Sequence, residues 1–159
     1  MCQFGFFRFL IGLAALFAAS AAAFAGEQVL EFKLVTTPVD VKVFEAANLD
    51  GQSLSAGRYF GVAYFKDGRI AVKNFVSSGE VLKGSGPIRG YSTYTFNDGS
   101  SITASYVGEV KDGVRTGTYT IMSGTGAFAN ATGTGTFNGV PSPFKGAFLY
   151  DGKFDVKTP

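Results

Sequence analysis

The sequence predicts an all-β protein, and within that class a closed antiparallel barrel of about eight strands. Alternating apolar and polar runs recur along the chain beyond residue 26, and four of the five Asp-Gly pairs separate such runs. Asp-Gly supplies the positive-φ positions of tight hairpin turns, which join neighbouring antiparallel strands. No run between these turns keeps the 3.6-residue apolar period of a helix.

The first 25 residues predict a cleaved secretory signal peptide. Arg8 is the only charged residue in this segment, the run 9–25 is weakly polar to apolar, and Ala-Phe-Ala at 23–25 is a small-x-small cleavage site. An uncleaved membrane helix is the alternative, but the run is short for spanning and no basic flank follows it. We therefore expect an exported protein, periplasmic or extracellular, with no stable membrane anchor and a single barrel domain over 26–159.

The composition of the mature chain excludes several kinds of site. The only cysteine of the sequence, Cys2, lies in the predicted signal peptide and leaves with it, and the sequence has no histidine. Disulfides, thiolate metal sites and the commonest general base are therefore excluded. Acidic and basic side chains are almost balanced and interspersed, whereas nucleic acid requires a concentrated cationic surface. We expect no metal, no cofactor and no nucleic-acid partner.

The predicted strands lie between the turn signals. They are expected near 28–37, 39–46, 58–66, 69–77, 88–97, 100–110, 114–122 and 132–139, followed by a last segment, 144–156, that its own Asp-Gly turn divides. The Gly- and Ser-rich stretch 77–87 is expected to be a mobile loop. So many antiparallel strands must protect their edges, and closure into a barrel does this most completely. A two-sheet β-sandwich is the alternative.

The hairpin turns also predict which side chains share a face. If both Asp-Gly pairs flanking the strand 100–110 form two-residue loops, three tyrosines fall in one cross-strand row with an arginine near one end. The four residues are Arg89, Tyr91, Tyr106 and Tyr119. Period-2 alternation puts this row on the apolar, inward face of the strands. Gly108 and Gly117 lie beside the row and are expected to leave room there.

Two interpretations of the row stay open. Tyrosines fill barrel cores and pair well across strands, which requires no ligand. Alternatively, the four residues line a ligand pocket, because barrels of about eight strands can hold one small molecule. An aromatic wall with one arginine suits a mainly apolar or aromatic molecule that carries a carboxylate.

The hairpin at 67–68 predicts a second surface. A two-residue loop there pairs Phe60 with Phe75 on one face and Ala63 with Val72 on the other. Both faces are then apolar, which an antiparallel sheet with one wet side would not show. The extra face predicts a subunit interface in a homo-oligomer, with a covering loop of the same chain as the alternative.

No catalytic residue can be assigned from the sequence. Glu31 alternates with apolar neighbours and Glu109 falls on the outward set of its strand, so both are expected to face water. Lys73 is the one lysine with apolar neighbours and could replace histidine as a base, with an edge or rim position as the alternative.

A glycine-rich segment, 124–129, fits the G-x-G-x-x-G/A pattern of dinucleotide sites. Only six residues separate Gly126 from Gly133, which is too few for the helix that such a site requires, and no acidic residue lies about twenty positions on. The segment is therefore predicted to be a turn between strands, with Phe128 plugging the barrel or its end.

The same segment carries a family resemblance. Residues 123–133, Ser-Gly-Thr-Gly-Ala-Phe-Ala-Asn-Ala-Thr-Gly, resemble the Gly-Gly-Thr-Gly-x-Phe-x-Gly-Ala-x-Gly segment of allene oxide cyclases and dirigent proteins. Ser123 and Asn130 stand where glycine is usual. The resemblance covers residues 88–139. It implies that the domain as a whole is an eight-stranded antiparallel barrel with a central cavity, and such barrels are often trimeric. It carries over no catalytic residue.

These observations lead to one principal hypothesis and two alternatives. The first is an exported barrel that binds a small apolar or aromatic, carboxylate-bearing molecule in its central cavity. The second is an isomerase or cyclase, or dirigent-like steering of a reactive lipid or phenolic substrate by shape and a tyrosine hydroxyl. The third is a cell-envelope structural protein with a packed core.

Overall fold

Eight antiparallel strands close into a barrel in the computed structural model, which describes residues 26–159. The strands are β1 (Gly26–Glu45), β2 (Gln52–Phe65), β3 (Ile70–Leu82), β4 (Gly86–Phe96), β5 (Ser101–Lys111), β6 (Val114–Thr125), β7 (Thr132–Val140) and β8 (Phe148–Thr158). Each strand pairs with its neighbours in sequence, and β1 pairs with β8. The predicted fold class is confirmed and the sandwich alternative is wrong. The predicted signal peptide at 1–25 lies outside the described residues.

Two predicted strand boundaries are wrong. The segments near 28–37 and 39–46 form one strand, β1, whose pairing with β2 is interrupted by a bulge between Pro38 and Asp40. Proline has no N–H to donate to the ladder, so a bulge is where a long strand accommodates it. The stretch 77–87 is not a loop. It extends β3 and begins β4, because ladder pairing with neighbouring strands satisfies its backbone despite its weak β-propensity.

The turn predicted inside the last segment is wrong as well. Asp151 and Gly152 lie in the middle of β8, paired with β1 on one side and β7 on the other. The φ of Gly152 is not positive, so no turn conformation requires glycine at this position. A Cβ at this position would lie 2.5 Å from the ring of Phe32. Gly152 therefore provides the space for an aromatic ring.

Three other Asp-Gly pairs do form hairpin turns, but their loops differ in length. Asp112 and Gly113 both have positive φ, 51° and 81°, as a two-residue loop of this type requires. The predicted pairings of Tyr106 with Tyr119 and of Gly108 with Gly117 are confirmed. In the turns at 67–68 and 98–99, only the glycine has positive φ, and the loop contains one residue more.

The turn after β4 shows how the longer loop is closed. The Phe96 N–H donates to the Ser100 carbonyl at 2.9 Å, which leaves three residues in the loop. The Asp98 carboxylate accepts hydrogen bonds from the Ser100 backbone N–H at 2.9 Å and from its hydroxyl at 2.6 Å. Arg69 contacts Asp67 in the same way, through its backbone N–H and its guanidinium. Val114 follows the two-residue loop and has no side-chain donor.

Compared with the predicted register, the extra loop residue moves every side chain of β4 to the opposite face of the sheet. Tyr91 lies opposite Ser105, and Tyr106 lies opposite Gly90, so the predicted pairing of Tyr91 with Tyr106 is wrong. Because successive side chains point to opposite faces, a shift of one residue turns Tyr91 outward, where it is 57% exposed. Tyr94 lies inward in its place and is fully buried.

The β2–β3 hairpin is shifted by one residue for the same reason. Phe60 lies opposite Asn74 rather than Phe75, and Ala63 lies opposite Ala71 rather than Val72. Phe60 and Val72 consequently face outward and are exposed. The predicted pairs are wrong, but both faces of this hairpin remain apolar.

Aromatic rings fill most of the barrel interior, and glycines on neighbouring strands provide their space. A Cβ at Gly117 would lie 2.5 Å from the Phe137 ring, and one at Gly90 would lie 2.5 Å from the Tyr106 hydroxyl oxygen. Gly117, expected to leave room for a ligand, is thus covered by Phe137. The rings form one continuous core cluster through the barrel.

A three-residue 3₁₀ turn, Gly126–Phe128, covers one end of the barrel. Phe128 is buried with its ring centroid 4.9 Å from that of Phe96, and the Arg69 guanidinium lies over both rings. The prediction of a turn with Phe128 as a plug is confirmed. No helix within residues 26–159 is long and apolar enough to cross a membrane.

Candidate binding site at the open end of the barrel

A small cavity lies inside the barrel at the end opposite Phe128, with a volume of about 40 Å³. Aromatic rings form most of its wall, Lys73 lies on its inner part, and Arg115 lies near the hairpin turn at 112–113. A water molecule requires roughly 10–15 Å³ by the same kind of measure, so the cavity has room for a few waters. Pockets for drug-sized ligands measure about 300–1,000 Å³. Side chains therefore occupy most of the predicted central cavity.

Lys73 lies on the inward face of β3 and is only 3% exposed. Its Nζ lies 4.3 Å from the centroid of the Phe75 ring and 5.1 Å from that of Tyr94. No carboxylate in residues 26–159 forms an ion pair with it. Burial in these surroundings lowers the pKa of Lys73 to about 7. The edge or rim position considered for Lys73 is wrong, and near neutral pH much of its amine is uncharged.

A short hydrogen-bonded series runs inward from Lys73. Its Nζ donates to the Tyr119 hydroxyl at 3.0 Å, and the Tyr119 and Tyr94 hydroxyl oxygens are 3.1 Å apart. Burial raises the pKa of both tyrosine hydroxyls, so they remain protonated over the physiological range. A protonated hydroxyl can donate and accept at once, and the series can therefore move a proton to or from the Lys73 amine.

Arg115 brings a positive charge to the outer part of the cavity. It lies on the inward face of β6, half-buried, with its guanidinium carbon 4.2 Å from the centroid of the Phe148 ring. Burial raises the pKa of the Tyr150 hydroxyl, and the charge of Arg115 partly offsets this rise. No carboxylate of the described chain pairs with Arg115. An arginine with free donors beside aromatic rings can bind a carboxylate or another planar anion.

Comparison with known proteins concerns the fold. No family model matches the chain, and no curated protein matches it. Among solved structures, the pterocarpan synthase dirigent protein GePTS1 superposes with a TM-score of 0.50 at 16% identity, over 93% of this chain and 96% of that chain. The fold is a dirigent-like barrel. The likeness expected from residues 123–133 is confirmed at the level of fold.

Two further structures resemble the dirigent-like barrel at similar identity. The pterocarpan synthase dirigent protein PsPTS1 has a TM-score of 0.49 at 16% identity, over 84% of this chain and 97% of that one. A protein of unknown function from the DUF3224 family of Shewanella oneidensis MR-1 has a TM-score of 0.47 at 16% identity, over 84% and 98%.

The dirigent-like barrel separates the four residues predicted to bind a ligand. Tyr106 and Tyr119 line the cavity. Arg89 and Tyr91 lie on the outer surface, in a groove across β1–β5 that Arg58 also lines. The one-residue shift of β4 is the physical reason, and ligand binding by any of the four remains a prediction.

Sequence reasoning missed Arg115 as a residue of this site, and it considered Lys73 only as a candidate base, with an edge or rim position as the alternative. Arg115 lies an even number of residues from Tyr119 on β6, so the two side chains lie on the same face of that strand. The register of β6 with β5 was predicted correctly. Lys73 lies on the same face of β3 as Ala71 and Phe75, because it is two residues from each of them. An assignment of faces along β6 would have placed Arg115 inside the barrel, whereas on β3 the set with Ile70 and Val72 is the more apolar one and would have placed Lys73 outside.

Proposed function

We propose that this protein is exported and binds a small aromatic or mainly apolar molecule with an anionic group, at the open end of the barrel. The observation that carries the proposal is Arg115, a half-buried guanidinium that pairs with no carboxylate of residues 26–159 and lies beside a mainly aromatic cavity. The signal-like composition of residues 1–25 supports export. In this arrangement Arg115 binds the anionic group, and the rings of Tyr59 and Phe148 contact the apolar part.

Binding at this site requires rim side chains to move. The cavity of about 40 Å³ is smaller than an aromatic ligand, and Phe148 stands at its rim directly after the connection between β7 and β8. Few hydrogen bonds tie that connection to the barrel, among them one of 3.3 Å from the Thr37 hydroxyl to the Gly146 carbonyl. Displacement of Phe148 toward solvent would open the space above Lys73 and Tyr106.

The role of Arg115 can be tested with a pair of fluorescent probes that share their aromatic rings. We expect 8-anilinonaphthalene-1-sulfonate to bind the wild type and to bind Arg115→Gln about tenfold or more weakly. A hydrogen bond to a charged group contributes roughly 1.5–3 kcal/mol, which corresponds to such a factor. The uncharged N-phenyl-1-naphthylamine should bind both proteins equally. Fluorescence titration of the folded proteins measures all four affinities.

Arg89→Gln is the matched control, because it removes an arginine from the outer surface. It should leave the affinity for the sulfonate unchanged. Equal binding of the sulfonate by the wild type and Arg115→Gln would contradict the proposal, as would an equal loss in Arg89→Gln.

A second candidate function is catalysis on a reactive lipid or phenolic substrate, as an isomerase, a cyclase or a dirigent-like protein. The observation that favours it is the hydrogen-bonded series from Lys73 to Tyr94, which can transfer a proton inside the cavity. The third alternative, a structural protein, requires the packed aromatic interior that is present, but it assigns no role to Arg115 or Lys73.

We also propose that the protein forms a homo-oligomer through the outer face of β1–β3. Exposed apolar side chains form a continuous patch there, namely Val35, Phe60, Tyr64, Ile70 and Val72. A single-chain surface seldom carries such a patch unless it is covered. Val72→Glu should shift the protein to a smaller species in sedimentation velocity. Val107→Glu, at an exposed valine on β5, should not. A wild-type monomer would contradict the proposal.

A further inference from the structure

We propose that Lys73 is a nucleophilic lysine, which forms an imine with the carbonyl carbon of a small aldehyde or 2-oxo acid while Arg115 binds the acid group. This inference rests on the proposed function, because the carbonyl compound occupies the same cavity. It adds a second, smaller class of ligand that needs less movement of the rim, and a covalent step. In this proposal the Lys73 nitrogen forms the bond to the carbonyl carbon, and Arg115 orients the carbonyl compound through its acid group.

The position of Lys73 is the first argument. Among residues 26–159 it is the only lysine, arginine, aspartate or glutamate whose side chain is buried. A buried amine disfavours folding unless its hydrogen-bonding groups find partners, and here the one partner is the Tyr119 hydroxyl at 3.0 Å. The Nζ has further bonding capacity, and Lys73 lines the cavity. The rest of the amine is therefore available to a molecule that enters from the open end.

The protonation state of the amine is the second argument. Only an uncharged amine is nucleophilic, and a desolvated lysine in an apolar pocket is one way to obtain it near neutral pH. Burial lowers the pKa of Lys73 to about 7, whereas a lysine in a model peptide in water has a pKa near 10.4. Lys33, for comparison, is largely exposed and forms an ion pair with Asp151.

The neighbouring tyrosine supplies the proton transfers that imine formation requires. The Lys73 nitrogen attacks the carbonyl carbon, and its proton passes to the former carbonyl oxygen to give a carbinolamine. The Tyr119 hydroxyl then donates a proton to the leaving oxygen and recovers one from the nitrogen. Both amine hydrogens and the carbonyl oxygen leave as one water molecule, and no oxidant or reductant is involved. The Tyr94 hydroxyl, 3.1 Å from that of Tyr119, holds the donor in place.

The size and charge of the cavity indicate the class of carbonyl compound. A volume of about 40 Å³ favours a molecule of few heavy atoms unless the rim opens. Arg115 favours a carboxylate at one end of that molecule, and the surrounding rings exclude bulk water that would hydrolyse the imine. An oxo acid carries the required carbonyl and carboxylate groups, and pyruvate serves as the probe.

Reductive trapping tests the proposal. The folded full-length domain is incubated with pyruvate and sodium cyanoborohydride near pH 7.5, and the modified lysines are identified by mass spectrometry of peptides. We expect Lys73 to be modified at least about tenfold faster than Lys33, because Lys73 is a desolvated amine in the cavity, whereas Lys33 is exposed, pairs with Asp151 and does not line the cavity. Lys73→Met should remove the fast modification. Tyr119→Phe should slow it while leaving the protein folded.

Two outcomes would overturn the inference. One is modification spread over exposed lysines such as Lys33 with Lys73 unmodified, which requires only the wild type. The other is an unchanged rate in Lys73→Met, measured on a sample shown to be folded by its circular dichroism.

A further comparison separates this inference from the proposed function. Arg115→Gln should slow trapping by pyruvate but not by acetaldehyde, which has no carboxylate. If the sulfonate probe depends on Arg115 but Lys73 is never trapped, the proposed function stands and the nucleophile fails. If Arg115→Gln traps pyruvate at Lys73 as fast as the wild type does, the nucleophile stands and the anion site fails.

Discussion

The free energy of unfolding is expected to rise by about 1.4 kcal/mol per pH unit between about pH 7 and pH 10, and Lys73→Met should abolish this rise. The pKa of Lys73 is about 7 in the folded barrel, and an unfolded lysine titrates near 10.4. Between these values the unfolded chain binds one proton more, so stability increases with pH. Below pH 7 both states are protonated and Lys73 adds no slope.

Above about pH 10 the free energy of unfolding is expected to decrease with pH instead of increasing. Burial raises the pKa of Tyr94, Tyr106 and Tyr119, so in this range the unfolded chain loses protons that the folded barrel keeps. Stability should therefore fall, in the wild type and in Lys73→Met alike. Urea unfolding at a series of pH values measures the profile, which should have its maximum near pH 10 in the wild type.

Lys73→Met should also be the more stable protein at neutral pH, since methionine fills a similar volume without a buried amine. The difference from the wild type should shrink as the pH approaches 10. A flat wild-type profile, or the same rising slope in both proteins, would show that Lys73 reaches solvent in the folded state.

Gly152→Ala is expected to destabilise the barrel by about 1–3 kcal/mol, the usual range for overpacking. A Cβ at Gly152 would lie 2.5 Å from two atoms of the Phe32 ring, and its three nearest neighbours all belong to that ring. Phe32 is buried among other rings, with its centroid 5.1 Å from that of Phe65. It therefore cannot move away without disturbing the core.

A double-mutant cycle with Phe32→Leu tests this cause. The smaller side chain should relieve most of the clash, so Gly152→Ala should destabilise Phe32→Leu much less than the wild type. Gly68→Ala is the control, because Gly68 has φ of 89° and open space around it. Its effect should come from backbone strain and be the same in both backgrounds. Additive effects of Gly152→Ala and Phe32→Leu, measured by urea unfolding, would contradict this role for Gly152.

These two glycines illustrate how much of the fold local sequence could predict. Both follow an aspartate, and only one of them turns the chain. Gly68 lies between two runs whose apolar residues need to pair with each other, whereas Gly152 lies in a strand whose partners, β1 and β7, are supplied from elsewhere in the sequence. Asp-Gly is a local signal, and it carries no information on whether a distant ring needs space.

The register of β4 shows a second limit. Two- and three-residue hairpin loops are both compatible with Asp-Gly, and they differ by one residue. The difference turned Tyr91 out and Tyr94 in, while the neighbouring register at Tyr106 and Tyr119 was predicted correctly. Ser100 offers the Asp98 carboxylate two donors, and a donor side chain at this position is the signal that could have indicated the longer loop.

The sequence by itself determined the all-β class, a closed barrel of about eight strands, the plug at Phe128 and two tyrosines of the aromatic wall, Tyr106 and Tyr119. These features depend on period-2 alternation and turn residues, which are local properties of the chain. Only the tertiary structure decided that Lys73 is buried without a carboxylate and that Arg115, not Arg89, faces the cavity. Which charged side chain faces inward depends on the register between strands, and a single residue in a loop changes it.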